Sequence, residues 1–281
     1  MNMQKLQLSD SAGVIQRHAD FQSRYAEPRH IDVWVPPIYE TSELRYPVIY
    51  MHDGQNLFEP LWSYKGIVWG MDEAITQLIQ AEQIPGAIVV GVWHPPKRWC
   101  DYMPQKFFGT SQGKARLAEF IQRVGGQPVS DNYLLFLVKE LKPFIDATYR
   151  TLADPAHTLI MGSSMGGLIS LYALEEYPEV FGGAGCLSTH WIAGGNALVD
   201  FLGGMLPPPG RHKLYFDYGT ETQDAAYEPY QKRMDALLES AGYIRGKDWM
   251  TCKFEGAEHS ERSWRARVAI PLKFLLELKR R

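Results

Sequence analysis

Ser164, His259 and a carboxylate between them are the residues whose types and order could do covalent chemistry in this chain. Ser164 lies in Gly162-Ser163-Ser164-Met165-Gly166-Gly167, where an apolar run over 158–161 stops at a glycine and an apolar, helix-like pattern follows. A serine with glycines at i−2 and i+2, between a strand pattern and a helix pattern, reads as a sharp turn with its hydroxyl at the apex. The glycines remove the Cβ atoms that so tight a turn would crowd. The start of the following helix aims backbone N–H groups at an oxyanion forming on a carbonyl carbon under attack. That is the chemistry of nucleophilic acyl transfer. With 25 glycines in the chain the pentapeptide carries little by itself, so its partners must decide the reading.

A serine hydroxyl is a poor nucleophile near neutral pH; it needs a base, and the base needs an acid to hold its tautomer. Chains built on such an elbow present the three in the order serine, acid, histidine, each on a loop after a strand. Three histidines follow Ser164. His259 comes after a strand pattern over 250–254 and the short loop Glu255-Gly256-Ala257-Glu258, and directly precedes the last helix pattern. A ring placed there reaches over the elbow, so His259 is the expected base. His190, in Ser188-Thr189-His190-Trp191, reads as a pocket residue, and His212, beside Pro207-Pro208-Pro209-Gly210, as a solvated surface residue.

The acid belongs in Gly219-Thr220-Glu221-Thr222-Gln223-Asp224, after the strand pattern over 213–218. Glu221 and Asp224 are both available. Asp224 is favoured because it lies deeper in the loop, although it could instead cap the helix pattern over 227–241. Asp217 falls inside the strand pattern. Two backbone N–H groups are needed for the oxyanion. One is that of Met165; the other is assigned to Gln55, in the turn His52-Asp53-Gly54-Gln55-Asn56 after the strand pattern over 48–51, a turn that also reads as an ordinary glycine turn.

These residues need a frame that brings four loops to one place. Strand patterns over 31–35, 48–51, 87–93, 158–161, 183–188, 213–218 and 250–254 alternate with helix patterns over 70–80, 133–148, 165–177, 227–241 and 261–278. Such alternation predicts an α/β fold, a mostly parallel sheet with helices on both faces, in which ligands sit at the carboxyl ends of the strands. The two early strands are expected to form an antiparallel edge. The stretches 95–123 and 191–210 read as long loops walling a pocket. Their aromatics, Trp99, Tyr102, Phe107, Phe108 and Trp191, together with Trp93, either line a cleft for a ring-bearing substrate or fill the core; Trp191 is the substrate contact expected among them.

Composition narrows the function further. The 281 residues form one expected domain, 1–281, with 45% hydrophobic and 22% charged residues, as in soluble globular chains. A formal net charge of −3 offers no basic stripe for nucleic acid and no polybasic surface for a membrane. No apolar run approaches the length of a bilayer span. The start, 1–20, is polar and mixed, Met1 reads as a native start, and with no secretory leader pattern a cytoplasmic location is expected. Cys100, Cys186 and Cys252 are too few and too scattered for a disulfide framework or a zinc site.

With these pieces in order the chain resembles the "Putative esterase" family of α/β-hydrolases, which includes feruloyl, acetylxylan and enterochelin esterases and S-formylglutathione hydrolases. The resemblance runs from about Arg29 to Leu278. It rests on the segment Tyr46-Pro47-Val48-Ile49-Tyr50-Met51-His52-Asp53-Gly54-Gln55-Asn56-Leu57-Phe58, on Arg98 with Asp101-Tyr102-Met103-Pro104, on the elbow, and on Gly256-Ala257-Glu258-His259-Ser260-Glu261-Arg262-Ser263-Trp264. It implies the α/β-hydrolase fold and a serine esterase without metal or other cofactor, acting on a small-molecule or sugar ester. It also implies Ser164 and His259 in the matching positions and Arg98 with the Asp101–Pro104 stretch near the pocket, Arg98 either as a substrate contact or as half of an arginine–carboxylate pair that holds the loop. Many relatives carry the acid three residues after the loop glycine, where this chain has Thr222. Transfer of the acyl group to a sugar or alcohol, and a catalytically silent binding module, are the competing expectations.

Overall fold

The computed structural model describes residues 3–6 and 13–277; Met1 and the expected helix end at Leu278 lie outside them. Nine strands among the described residues form one sheet: β1 (Met3–Leu6), β2 (Val14–Phe21), β3 (Arg29–Val35), β4 (Val48–His52), β5 (Ile88–Val92), β6 (Thr158–Ser163), β7 (Gly183–Leu187), β8 (Lys213–Gly219) and β9 (Trp249–Phe254), in the order β1-β2-β3-β5-β4-β6-β7-β8-β9. From β5 through β4 to β9 every pairing is parallel. The helices are α1 (Met71–Gln80), α2 (Arg98–Tyr102), α3 (Ser111–Val124), α4 (Ser130–Leu135), α5 (Lys142–Thr148), α6 (Met165–Glu176), α7 (Gly195–Gly203), α8 (Glu228–Ser240), α9 (Glu261–Arg267) and α10 (Ala269–Leu275). The α/β-hydrolase fold expected from the sequence is the one observed.

The parallel strands are buried on both faces, which explains their uninterrupted apolar runs. Side chains alternate across the sheet. In β4, Val48 and Tyr50 join one layer with residues of α2 to α8, while Ile49 and Met51 join the other with α1, α9 and α10. Strand order reverses at β4, which lies between β5 and β6. The crevice between the carboxyl ends of β4 and β6 is therefore the switch point at which open α/β sheets bind ligands.

Some elements depart from the sequence-based expectation. The antiparallel edge is built by β1, β2 and β3, the last also antiparallel to β5, whereas β4 lies inside the sheet. Polar residues hide β2 in the sequence. Its Arg17 is buried because the guanidinium donates from Nε and Nη2 to the two carboxylate oxygens of Asp32 of β3, each at 2.7 Å. The two supposed long loops are largely helical: 95–123 holds α2 and most of α3, and 191–210 holds α7. The expected 133–148 helix is α4 and α5 joined by a π-helical stretch, Phe136–Leu141. His212 is buried, its Nε2 within 2.9 Å of the Pro178 carbonyl oxygen, because the chain before β8 folds back onto the end of α6.

Helix α6 has no polar face: every residue from Met165 to Glu175 is buried, as expected of a helix enclosed on all sides. Glu175 is the exception in chemistry. Neither carboxyl oxygen has a hydrogen-bond partner among the described residues, and burial, then the charge of Glu176, pushes its pKa well above the usual range. A carboxyl protonated in the fold but ionised in the unfolded chain costs nothing below the unfolded pKa of about 4.3 and destabilises as pH rises toward the folded value. Glu175→Leu is therefore expected to add about 1–3 kcal/mol to unfolding free energy at pH 8 and much less at pH 4. Urea unfolding at the two pH values measures the difference.

Candidate active site

The elbow follows from the glycines around it. Ser164, between β6 and α6, has φ 57° and ψ −121°, a region that costs a non-glycine residue strain. A Cβ on Gly162 would lie 2.8 Å from the Gly166 carbonyl carbon, and one on Gly166 would lie 3.3 Å from the His52 Cβ. The strand end and the helix start can thus press together and against the β4 turn. The Ser164 N–H donates to the Leu187 carbonyl at 2.9 Å, and its own carbonyl accepts from the Leu168 and His190 N–H groups at 3.1 and 3.2 Å. The apex is consequently fixed from both sides, with the side chain left half-buried. At the first turn of α6 the Met165 N–H has no acceptor inside the helix.

The β4 turn lies across the crevice. Asp53 is left-handed at φ 57°, and Gly54 passes so close to β5 that a Cβ there would sit 2.4 Å from the Gly91 carbonyl carbon. The Asp53 N–H donates to the Tyr102 hydroxyl at 3.3 Å, and those of Asn56 and Leu57 donate to the Asp53 and Gly54 carbonyls at 2.9 and 3.4 Å. The Asp53, Asn56 and Leu57 amides are thus engaged within the protein. Below it His52 is buried with Nδ1 2.8 Å from the Tyr133 hydroxyl, and burial brings its pKa down to about 3, so it carries no charge.

Arg98 fastens this turn to the elbow. Its Nε and Nη2 donate to Asp53 Oδ1 and Oδ2 at 2.6 and 2.5 Å, and Nη2 also faces the Ser163 carbonyl at 3.5 Å. Burial raises the Asp53 carboxyl, but the Arg98 charge and hydrogen bond outweigh it and hold the pKa below the usual range. The guanidinium is thus engaged by the protein, more a clamp between the two loops than the free substrate contact expected. Arg98→Met is expected to lower kcat about a hundredfold with little change in KM, because the β4 turn and the elbow shift relative to each other while the cleft stays open. Steady-state kinetics on a soluble ester separates the two parameters.

On the far side of the elbow, the loops after β8 and β9 are pressed together. A Cβ on Gly219 would lie 2.1 Å from the Ala257 carbonyl oxygen, which accepts the Thr220 and Glu221 N–H groups at 3.1 and 3.0 Å. Thr222, at φ 55°, accepts the His259 N–H on its hydroxyl at 2.8 Å. The threonine that replaces the carboxylate of many relatives thus tethers the histidine backbone. Asp224, two residues on, is buried, with Oδ1 2.6 Å from His259 Nδ1. Its Oδ2 accepts the Gly219 N–H at 2.7 Å and the Ser188 hydroxyl at 2.6 Å. Burial raises this carboxyl, but the hydrogen bonds from His259, Ser188 and Gly219 more than offset that and lower its pKa. Glu221 is exposed and outside this set.

The structure therefore brings Ser164, His259, Asp224, Met165 and Gln55 to the carboxyl ends of neighbouring strands. The Ser164 hydroxyl and His259 Nε2 make no hydrogen bond to each other among the described contacts; such bonds often tighten only around a substrate. His190 lies at the site, its ring centroid 6.4 Å from that of His259, and Nδ1 2.7 Å from the Tyr227 hydroxyl. Burial, then the charges of His259, Arg98 and Arg123, lowers its pKa to about 4, so it is neutral and only a weak proton acceptor. Trp191 does not line a cleft: it is 1% exposed, and its indole N–H donates to Gln231 at 3.0 Å. Tyr102, Phe107 and Phe108 are buried as well, whereas Trp93 and Trp99 remain half-buried. Trp99 meets the His190 ring edge-on at 5.2 Å.

Residues that sequence reasoning overlooked here are Ser188, Trp264 and Arg267, which surround Asp224. Ser188 ends the chain segment leaving β7, beside the nucleophile strand, and that position was the available signal. Among the described residues no group of three or more His, Cys, Asp or Glu could hold a metal ion, and no helix is long and apolar enough to cross a membrane.

Comparison with known proteins agrees with this fold. A family model described as "Putative esterase" matches residues 23–269. YbbA of Bacillus subtilis (strain 168), itself named an uncharacterized protein, is 26% identical over 194 residues, which are 69% of this chain and 68% of YbbA. An IroE-like serine hydrolase from Shewanella oneidensis superposes with a TM-score of 0.72 at 20% identity, covering 93% of this chain and 79% of that one. A ferulic acid esterase of the anaerobic fungus Anaeromyces mucronatus does so with a TM-score of 0.63 at 18% identity, covering 96% and 92%. At these identities the two structures speak for the shared fold. With most of its length matched by the family model, the chain belongs to the "Putative esterase" family of α/β-hydrolases and is a carboxylic ester hydrolase.

Proposed function

We propose that this esterase works through Ser164, His259 and Asp224 and a covalent acyl-enzyme. The observation that carries the reading is the 2.6 Å contact from Asp224 to His259 Nδ1, beside a serine held at a strained apex. With Nδ1–H donated to Asp224, the Nε2 lone pair is the ring's remaining site for a proton. His259 takes the Ser164 proton as Oγ bonds to the ester carbon. The carbonyl oxygen, now an oxyanion, is received by the N–H groups of Met165 and Gln55. Collapse breaks the bond to the alcohol oxygen, which leaves with the proton from His259. Water then attacks the acyl carbon, passing its proton to His259, and Ser164 departs with that proton as the carboxylic acid forms.

The substrate we infer is a small-molecule or sugar ester, with half-buried Trp99 supplying an aromatic wall beside His190. Arg98 serves catalysis through the turn it clamps rather than by holding the substrate. A fluorophosphonate probe tests the nucleophile: it is expected to label the wild-type chain at Ser164 and to leave Ser164→Ala unlabelled. Labelling elsewhere, or none, overturns the assignment of Ser164 as the nucleophile. Product analysis with added trehalose or glycerol is expected to yield the free acid; an acylated sugar or glycerol would replace hydrolysis by acyl transfer.

A further inference from the structure

Ser188 Oγ is buried at a junction of four groups. It lies 2.6 Å from Asp224 Oδ2, 2.9 Å from Trp264 Nε1 and 2.8 Å from Arg267 Nη2. The Ser188 backbone is itself left-handed at φ 42°, its N–H donating to the Asp217 carboxylate at 3.1 Å. Indole and guanidinium nitrogens only donate, whereas a hydroxyl has two lone pairs and one proton. Both lone pairs are therefore occupied by Trp264 and Arg267, and the proton has one destination, Asp224 Oδ2.

We propose that Ser188 is a positioning residue of this active site, a hydroxyl locked by Trp264 and Arg267 so that it can only donate to Asp224. The inference rests on Asp224 being the acid that orients His259. The lock has a chemical consequence. A proton on Asp224 Oδ2 would face the Gly219 N–H and a Ser188 hydroxyl that cannot turn round to accept it. Asp224 is thereby held as a carboxylate with Oδ1 reserved for His259 Nδ1–H, which keeps Nε2 available for Ser164.

The same helix supplies the base and its lock. His259 stands two residues before α9; Trp264, on α9, meets the His259 ring edge-on at 5.0 Å while donating to Ser188. Arg267, at the end of α9, also grips both oxygens of Asp217 at 2.8 and 3.1 Å. Tyr215 donates to Asp217 at 3.1 Å. Burial raises the Asp217 carboxyl above the usual range, against the charge and hydrogen bonds of Arg267.

The pH dependence of kcat/KM tests the lock, since its acid limb reports the base in the free enzyme. In Ser188→Ala, Asp224 loses a donor, binds a proton on His259 more strongly and is expected to move the acid limb up by about 0.5–1 pH unit. Activity at the optimum is expected to fall about tenfold to a hundredfold, with KM little changed. Trp264→Phe keeps an aromatic ring against His259 and removes one lone-pair donor, so a smaller shift in the same direction is expected. It reports even if Ser188→Ala does not fold. An acid limb superimposable on wild type, or moved down, in the variants that fold overturns the inference. If the wild-type chain is not labelled at Ser164 by the fluorophosphonate probe, the underlying triad has failed instead.

Discussion

Replacing Ser164 by Ala is expected to lower kcat on p-nitrophenyl acetate or butyrate by about four to six orders of magnitude. The hydroxyl is the atom that bonds to the substrate, and no neighbouring group can take its place. His190 is buried and neutral with its Nδ1 on Tyr227, and Ser163, the adjacent hydroxyl, is buried at the end of β6. The fold should survive the change. The hydrogen bonds that fix the apex are made by the Ser164 backbone N–H and carbonyl, and alanine tolerates the strained backbone no worse than serine. Unchanged thermal unfolding together with lost turnover is the expected pair of results. Retention of more than a tenth of wild-type activity would remove Ser164 from the mechanism.

Asp224→Asn is expected to cost about three to four orders of magnitude in kcat at neutral pH. The reason is directional. The Gly219 N–H and the Ser188 hydroxyl both point at Oδ2, so an amide placed there must turn its oxygen toward them and its NH2 toward His259. The ring then accepts at Nδ1 and carries its proton on Nε2, the tautomer that cannot deprotonate Ser164. Glu221→Gln, at an exposed position, is expected to stay within about twofold of wild type. Single-turnover and steady-state kinetics on both variants, with thermal unfolding as the folding control, decide the acid. Equal losses in the two variants, or a near-normal Asp224→Asn, would reject the assignment.

Much of this site was legible before any fold was known, because elbow chemistry is local. Gly162 and Ser164 are set by the tight turn itself, within a few residues, and His259 announces itself by standing between a strand pattern and the last helix. The choice between Glu221 and Asp224 was not local. Loop length allowed both, and the closure of Gly219 onto Ala257 decided which carboxylate faces inward. Helices α2 and α7 were hidden for another reason: α2 is short and begins with a charged residue, so little apolar periodicity marks it. Strand β2 was hidden because its charged residues are buried by pairing with another strand, which a reading of apolar runs cannot register.

By itself the sequence determined the alternation of strands and helices, the apex serine, the loop histidine and the order of the three groups proposed for catalysis. Each depends on periodicity or on backbone permissiveness within one segment. Only the tertiary structure decided that Arg98 joins the β4 turn to the elbow, that Trp191 belongs to the core, and that Ser188, with Trp264 and Arg267 bonded to it, meets Asp224. Those outcomes depend on where donors and acceptors from segments tens of residues apart meet in a buried place. A buried polar group takes its role from whichever partner is there to satisfy it.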